Sequence, residues 1–448
     1  MQFYEEDSPM YRSKDRKTQS LFSELMPFGG KLDEQNRWLK RESLVPWDEL
    51  EDIYKGYFSR LGRPAKDCRL MLGALCIKHI EGLSDEQVEL AIRENPYMQY
   101  FCGLDQFTAS PLFNESTLCN LRKRMGKKFF EQFDQKILES LKLHKVIRAR
   151  DVMFDATVVP SNVKYPTDAG LLNSAREWLV GQIDRVGKAV GKAFRTRKRV
   201  ARKEYLDFSK KRKKGKKKIR RAIKKLTQHV RRNLKQLEEG LELLRSQGES
   251  VRQSVLDRLE VVRKIYDQQV EMYRNKTQSV KDRIVSLHQP WVRPVPRGKE
   301  GRTTEFGPKA SLSLVDGFLF VDRLSSDPFN EASAMGKTLD KFVERFGKEP
   351  VSATGDGLYG TKENRKLLNR RGIKDAFRKL GRPRKEPDPE KRWKKSMQKK
   401  RNRIEGFIGH AKQHFNCDKI GYRTEAGMEI WIRMSLSMMN LDTATKRI

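Results

Sequence analysis

Apolar and polar positions change period several times along the chain, and each change predicts an element. Residues 1–45 are polar with scattered aromatics and read as a leader. From 46 to 148 the spacing is helical. The run 69–77 (RLMLGALCI) predicts a buried helix. Ser84 and Gln87 have the spacing of a capping box and start the next helix. Residues 114–118 open a basic helix carrying Arg122, Lys123, Arg124, Lys127 and Lys128. Two short helices before a basic one fit a helix-turn-helix, and equally an ordinary helical bundle.

At 151–159 the period drops to two. Val152, Phe154, Ala156 and Val158 alternate with Asp151, Met153, Asp155 and Thr157, which predicts a strand with one apolar face. Residues 171–285 return to helical spacing. Leu234, Leu237, Leu241 and Leu244, then Val255, Leu259, Val262 and Tyr266, predict a helical hairpin paired along an apolar seam. Strand patterns resume at 305–324, where Asp316-Gly317 between two apolar runs predicts a tight hairpin. A helix over 331–346, a strand at 351–354, a helix at 362–371, a strand at 373–377, a long helix at 392–415 and a closing core helix at 425–441 complete the order. That alternation predicts an α/β core, a mixed sheet flanked by helices. The expected domains are an all-α amino-terminal domain (46–148), the α/β core (149–170 with 286–448) and a basic helical insertion (171–285).

Charge narrows the partner. Lysine and arginine number 95 against 59 acidic residues, a net charge of +36. Charge on this scale opposes compaction and attracts polyanions. Nucleic acid is the first expectation and an anionic membrane surface the second. Lys210, Lys211, Arg212, Lys213 and Lys214 begin the densest basic run, a candidate DNA-binding arm, and Arg122 and Arg124 are candidate DNA contacts in the helical domain. No run of 18 or more apolar residues predicts a membrane span. The first residues show no secretory signal pattern. Five cysteines without a CxxC pair argue against a disulfide scaffold or a zinc ribbon, and fit a reducing cytoplasm.

Three acidic positions stand out. Asp155 interrupts a strand, where a carboxylate is unfavourable, although a solvated sheet face would tolerate it. Asp151 and Asp168 are fallbacks. Asp356 follows a strand directly between Gly355 and Gly357, where ligand groups of α/β sheets gather; a simple Asp-Gly turn is the plain alternative. Glu405 borders the apolar stripe of the long helix (Ile404, Ile408, Ala411, Phe415), with Arg401 four residues before it and Lys412 seven after. An exposed ion pair is the plain alternative there. Three carboxylates from two strands and a helix would make an oxygen-only site suited to Mg²⁺ or Mn²⁺. Two such ions can activate the attacking oxygen and stabilise the leaving one in phosphodiester displacement.

These motifs resemble a known family. The order Asp155-Ala156-Thr157, then Gly355-Asp356-Gly357-Leu358-Tyr359, then Arg401, Glu405 and Lys412, looks like the DDE transposases of bacterial insertion sequences. The branch is the one marked by a Tyr-Arg-Glu-Lys signature, although Gln398 stands at the Tyr position. The resemblance implies a ribonuclease-H-like core. It implies Asp155, Asp356 and Glu405 as catalytic metal ligands, and Arg401 and Lys412 as contacts to the phosphates of the element's ends. It also implies double-stranded DNA as partner, Mg²⁺ or Mn²⁺ as cofactor, a homodimer at synapsis and a place on the bacterial nucleoid. A nuclease of the same fold that does not transpose, and a non-catalytic architectural nucleic-acid binder, are the rival expectations.

Overall fold

The computed structural model describes residues 10–11, 32–59, 61–296, 304–377 and 390–448. Residues 1–9 and 12–31 of the expected leader lie outside that set. The chain divides into two compact units. One holds residues 1–160, 309–325 and 329–448, and the other 161–308 with 326–328.

Seven strands occur among the described residues: β1 (Asp151–Val158), β2 (Pro294–Pro296), β3 (Thr304–Phe306), β4 (Lys309–Val315), β5 (Phe318–Ser325), β6 (Ser352–Gly355) and β7 (Lys374–Asp375). The first unit contains a five-stranded sheet in the order β5-β4-β1-β6-β7. β4 pairs antiparallel with β1 and β5, whereas β1, β6 and β7 run parallel. β1 is therefore the central strand, and Val152, Met153 and Phe154 are all buried, as expected where both sheet faces are covered. The β4–β5 turn is Asp316-Gly317, with φ of 52° and 88°. Two left-handed residues give the twist that a two-residue hairpin needs. The Asp316 carboxylate also accepts the Arg148 and Ala149 amides, both at 2.7 Å, which fixes the approach to β1.

The amino-terminal helices belong to the same compact unit as the sheet. Helices Cys68–Glu81 and Glu115–Leu143 pack on the closing helix Glu425–Thr445, which also packs on β5. Leu436, Met438, Met439 and Leu441 are all buried, so the closing helix is apolar around its circumference and serves both neighbours. Its Asn440 exchanges two hydrogen bonds with the backbone of Leu319, at 2.8 and 2.9 Å. Helix Arg37–Leu44 falls inside the stretch that the sequence suggested as leader. Trp38 and Leu44 are buried, and Arg41 is paired with Asp442 of the closing helix at 2.5 Å. The capping box at Ser84 and Gln87 forms as its spacing predicts.

The second unit is a helical bundle with the small β2–β3 ribbon. The seam predicted for a hairpin is present: Leu234, Leu237, Leu241, Leu259 and Val262 are buried together on helices Lys216–Ser246 and Gln253–Asn275. Helix Asp168–Ala189 joins them with its own stripe of Leu172, Leu179 and Ile183. Two helices alone would leave that stripe in water, so the expected hairpin becomes part of a bundle.

Candidate active site

The register of the central strands sets the site. Phe154 of β1 pairs with Gly355 of β6, and the strands are parallel. The next residue on each is an aspartate, so Asp155 and Asp356 emerge side by side on strands about 4.8 Å apart. Gly355 is required by packing, because a Cβ there would lie 3.1 Å from the Phe154 carbonyl oxygen and 3.2 Å from the Tyr359 ring. Asp356 ends β6 and caps the short turn Gly357–Tyr359, its Oδ1 accepting the Gly357 amide at 2.6 Å. Asp155 Oδ1 accepts the Ala156 amide at 2.8 Å.

The electrostatics are those of an acid-rich, cation-poor place. Burial pushes the Asp155 carboxyl up to about 6; the Ala156 amide opposes this, and the charges of Glu331, Glu405 and Asp356 reinforce it. Among the described residues neither Asp155 nor Asp356 has a basic partner.

The long helix Lys391–His414 lies against β1 and β6 with Met397, Ile404 and Ala411 buried. Glu405 follows Ile404, and its side chain is 58% exposed and paired with Arg401 at 3.3 Å. Arg401 also donates to Asn402 at 3.2 Å. Lys412 donates to the carbonyl of Val158 at 3.0 Å, at the end of β1. Gln398 donates to Thr354 Oγ1 at 3.1 Å and to the Ala376 carbonyl at 2.8 Å. It therefore ties the helix to β6 and to the chain just beyond β7.

The site thus draws Asp155 and Asp356 together by register and brings the Glu405 charge within their influence. Among the described residues, no three His, Cys, Asp or Glu side chains stand close enough to share a metal ion. The donor chemistry still suits a hard divalent cation. The groups are carboxylates only, and the raised proton affinity of Asp155 marks a deficit of positive charge.

The other sequence candidates are placed as follows. Asp151 accepts a 2.6 Å hydrogen bond from Ser352, and Asp168 is held by Arg283 and Gln269, both at 2.8 Å. Lys210, Lys211, Arg212, Lys213 and Lys214 form an exposed segment before helix Lys216–Ser246. Arg124 is exposed over the Phe58 ring. Arg122 is not at the surface. Its guanidinium is buried, forked onto Asp85 at 3.0 and 2.5 Å, and stacked 4.1 Å from the Tyr422 ring centroid. An arginine in a basic run faces inward here because Asp85, the first residue of helix Asp85–Glu94, supplies a buried counter-charge. The sequence reading did not single out Glu331, the first of the carboxylates acting on Asp155. It lies in a loop whose sequence carries no periodic signal.

Known families match two stretches. A model described as a transposase domain (DUF772) matches residues 27–124, and one described as a transposase DDE domain matches 354–442. The chain also resembles the uncharacterized protein ORF8 in the nfe locus of Rhizobium meliloti. The two are 33% identical over 162 residues, which is 35% of this chain and 78% of that one. The chain belongs to the insertion-sequence transposases with a DDE domain. The segment 354–442 of the transposase contains Asp356 and Glu405, whereas Asp155 lies outside both matched stretches. No solved structure matches. Among the described residues of the transposase, no helix is long and apolar enough to cross a membrane.

Proposed function

We propose that this transposase binds the terminal inverted repeats of its element, cleaves DNA at the ends and joins them to target DNA. The catalytic core is read as ribonuclease-H-like, on the strength of the β5-β4-β1-β6-β7 order with an antiparallel hairpin beside three parallel strands. The observation that carries the reading is the pairing of Phe154 with Gly355, which sets Asp155 and Asp356 next to each other at the carboxyl ends of β1 and β6.

Asp155, Asp356 and Glu405 would hold Mg²⁺ or Mn²⁺, with Glu405 turning from Arg401 toward the two aspartates. Bound there, the ions supply Lewis-acid activation of the attacking and leaving oxygens. Water displaces the 3′-oxygen at the element's end, and the freed 3′-hydroxyl then displaces an oxygen at a phosphodiester of the target. Arg401 is assigned to a DNA phosphate, which competes with Glu405 for the guanidinium. Lys412 sits at the end of β1 and is assigned a second phosphate. Lys210, Lys211, Arg212, Lys213, Lys214 and Arg124 are assigned to DNA by their exposure and charge. Arg122 is assigned to the fold. The Arg401, Glu405 and Lys412 spacing places the chain in the Tyr-Arg-Glu-Lys branch. In that branch Gln398, bonded to the sheet, replaces the tyrosine. Synapsis of two ends calls for a homodimer acting on the nucleoid in the cytoplasm.

Purified protein, Mg²⁺, a labelled element end and a target plasmid test the reading. Cleavage followed by joined product, both lost in Asp356→Asn with DNA affinity retained, supports it. Hydrolysis without joining would point to a nuclease. Binding with no chemistry in either protein would leave an architectural DNA binder.

A further inference from the structure

We propose that Glu331, pinned by Lys309, is a positioning residue of the carboxylate site and strengthens its hold on a divalent cation. The proposal rests on the reading of Asp155 and Asp356 as cation ligands.

Two separate structural ties bring Glu331 to the site. Lys309 opens β4 and stands opposite Val158 in the β1–β4 register, three residues along β1 from Asp155. Its ammonium pairs with Glu331 at 2.6 Å, with both side chains largely buried, and donates to the Phe329 carbonyl at 3.0 Å. The second tie comes from the β6 side. The buried amide of Asn364 donates to the carbonyls of Ala332 and Tyr359, both at 2.9 Å. The residue after Glu331 is thereby stapled to the turn that Asp356 caps. Glu331 is thus fixed from β4 on one side and from the Asp356 turn on the other.

A third observation shows that the enclosed space expects a polar occupant. The Tyr359 side chain is 1% exposed, and its hydroxyl has no hydrogen-bond partner. A buried hydroxyl without a partner is costly. The charges of Glu331 and Asp155 are the nearest influences on this phenol after burial itself, so the orphan hydroxyl belongs to the same pocket of negative potential. A hydrated divalent cation supplies both the missing positive charge and a water that the hydroxyl can bond.

Lys309 acts against the cation and Glu331 for it. Supporting groups outside the ligand shell typically change metal affinity 10- to 100-fold when removed. The lysine holds Glu331 in place but also offsets its charge, so the two residues have opposite effects. This separates a role toward the cation from a packing role, in which both substitutions would weaken the site together.

The test is Mn²⁺ binding to the full chain, followed by electron paramagnetic resonance of the free ion. Glu331→Gln keeps the side-chain shape and is expected to weaken Mn²⁺ binding about tenfold. Lys309→Met is expected to tighten it, and the double variant to fall between the two. Affinity unchanged in Glu331→Gln, or weakened alike in both single variants, overturns the proposal. Asp155→Asn is the control. If the wild type binds Mn²⁺ and Asp155→Asn does not, a negative result for Glu331 concerns Glu331 alone. If Asp155→Asn binds as the wild type does, the reading of the aspartates fails and this proposal falls with it.

Discussion

Asp155 and Asp356 are neighbours across two parallel strands, each one residue beyond the Phe154–Gly355 pair. They arrive from opposite ends of a 200-residue separation, and Asp155 carries the cost of the meeting. Its carboxyl is buried among the charges of Glu331, Glu405 and Asp356 and is pushed up to about 6. The folded state therefore retains a proton that the unfolded chain releases. This lowers stability as pH rises from the ordinary carboxylate range to about 6, and the loss is complete above it.

Asp155→Asn removes that cost while removing the chemistry. Without divalent ions, the variant is expected to be more stable than the wild type above pH 6, by ~1–2 kcal/mol. The difference should vanish below the ordinary carboxylate range. Thermal melts across pH check the sign; a variant less stable at every pH contradicts it.

The same shift predicts how cleavage depends on pH. At subsaturating Mg²⁺, protons compete for Asp155 below about 6. The rate is expected to rise roughly tenfold per pH unit up to that point and then level. A profile flat through this range would separate Asp155 from the chemistry.

Arg401 and the 210–214 segment differ in how they bear on DNA. Arg401→Gln is expected to weaken end binding and lower the slope of log affinity against log salt by about 1, as for one lost phosphate contact. Replacing residues 210–214 with alanine is expected to lower the slope by up to about 4. An unchanged slope in the second variant would remove the segment from the DNA interface.

Arg122 is expected to behave oppositely. Arg122→Ala leaves Asp85 with Lys78, its remaining partner at 3.1 Å, and opens space beside Tyr422. Stability is expected to fall by ~2–4 kcal/mol, near the range for a broken buried pair. Salt dependence of DNA binding below the melting range should stay as in the wild type, and a changed slope would return Arg122 to the interface.

Gln398 shows what a single position in a signature can conceal. Its amide bonds Thr354 and the Ala376 carbonyl, so it supports the sheet on which Asp356 stands. Gln398→Ala is expected to cost ~1–2 kcal/mol of stability by leaving those groups unpaired. Denaturant melts of the two proteins check it, and equal midpoints would show that the two bonds contribute nothing.

Local pattern alone determined the elements that depend on neighbours in sequence. The alternation at 151–159, the Asp316-Gly317 turn, the Ser84 capping box and the long helix bearing Glu405 are all set by periods or short spacings, and each forms in the structure. The net charge of +36 likewise needs no fold to be read. Tertiary structure decided what depends on distant partners. Arg122 turned inward because Asp85 waits on another helix, and Arg41 because Asp442 does. Helix Asp168–Ala189 joined the 216–275 hairpin to bury a stripe that nothing nearby could cover. Glu331 reached Asp155 through a lysine on β4 and an asparagine beyond β6. A period records which face of a segment avoids water; which segment covers that face, and which charge meets which, is fixed only when the chain closes on itself.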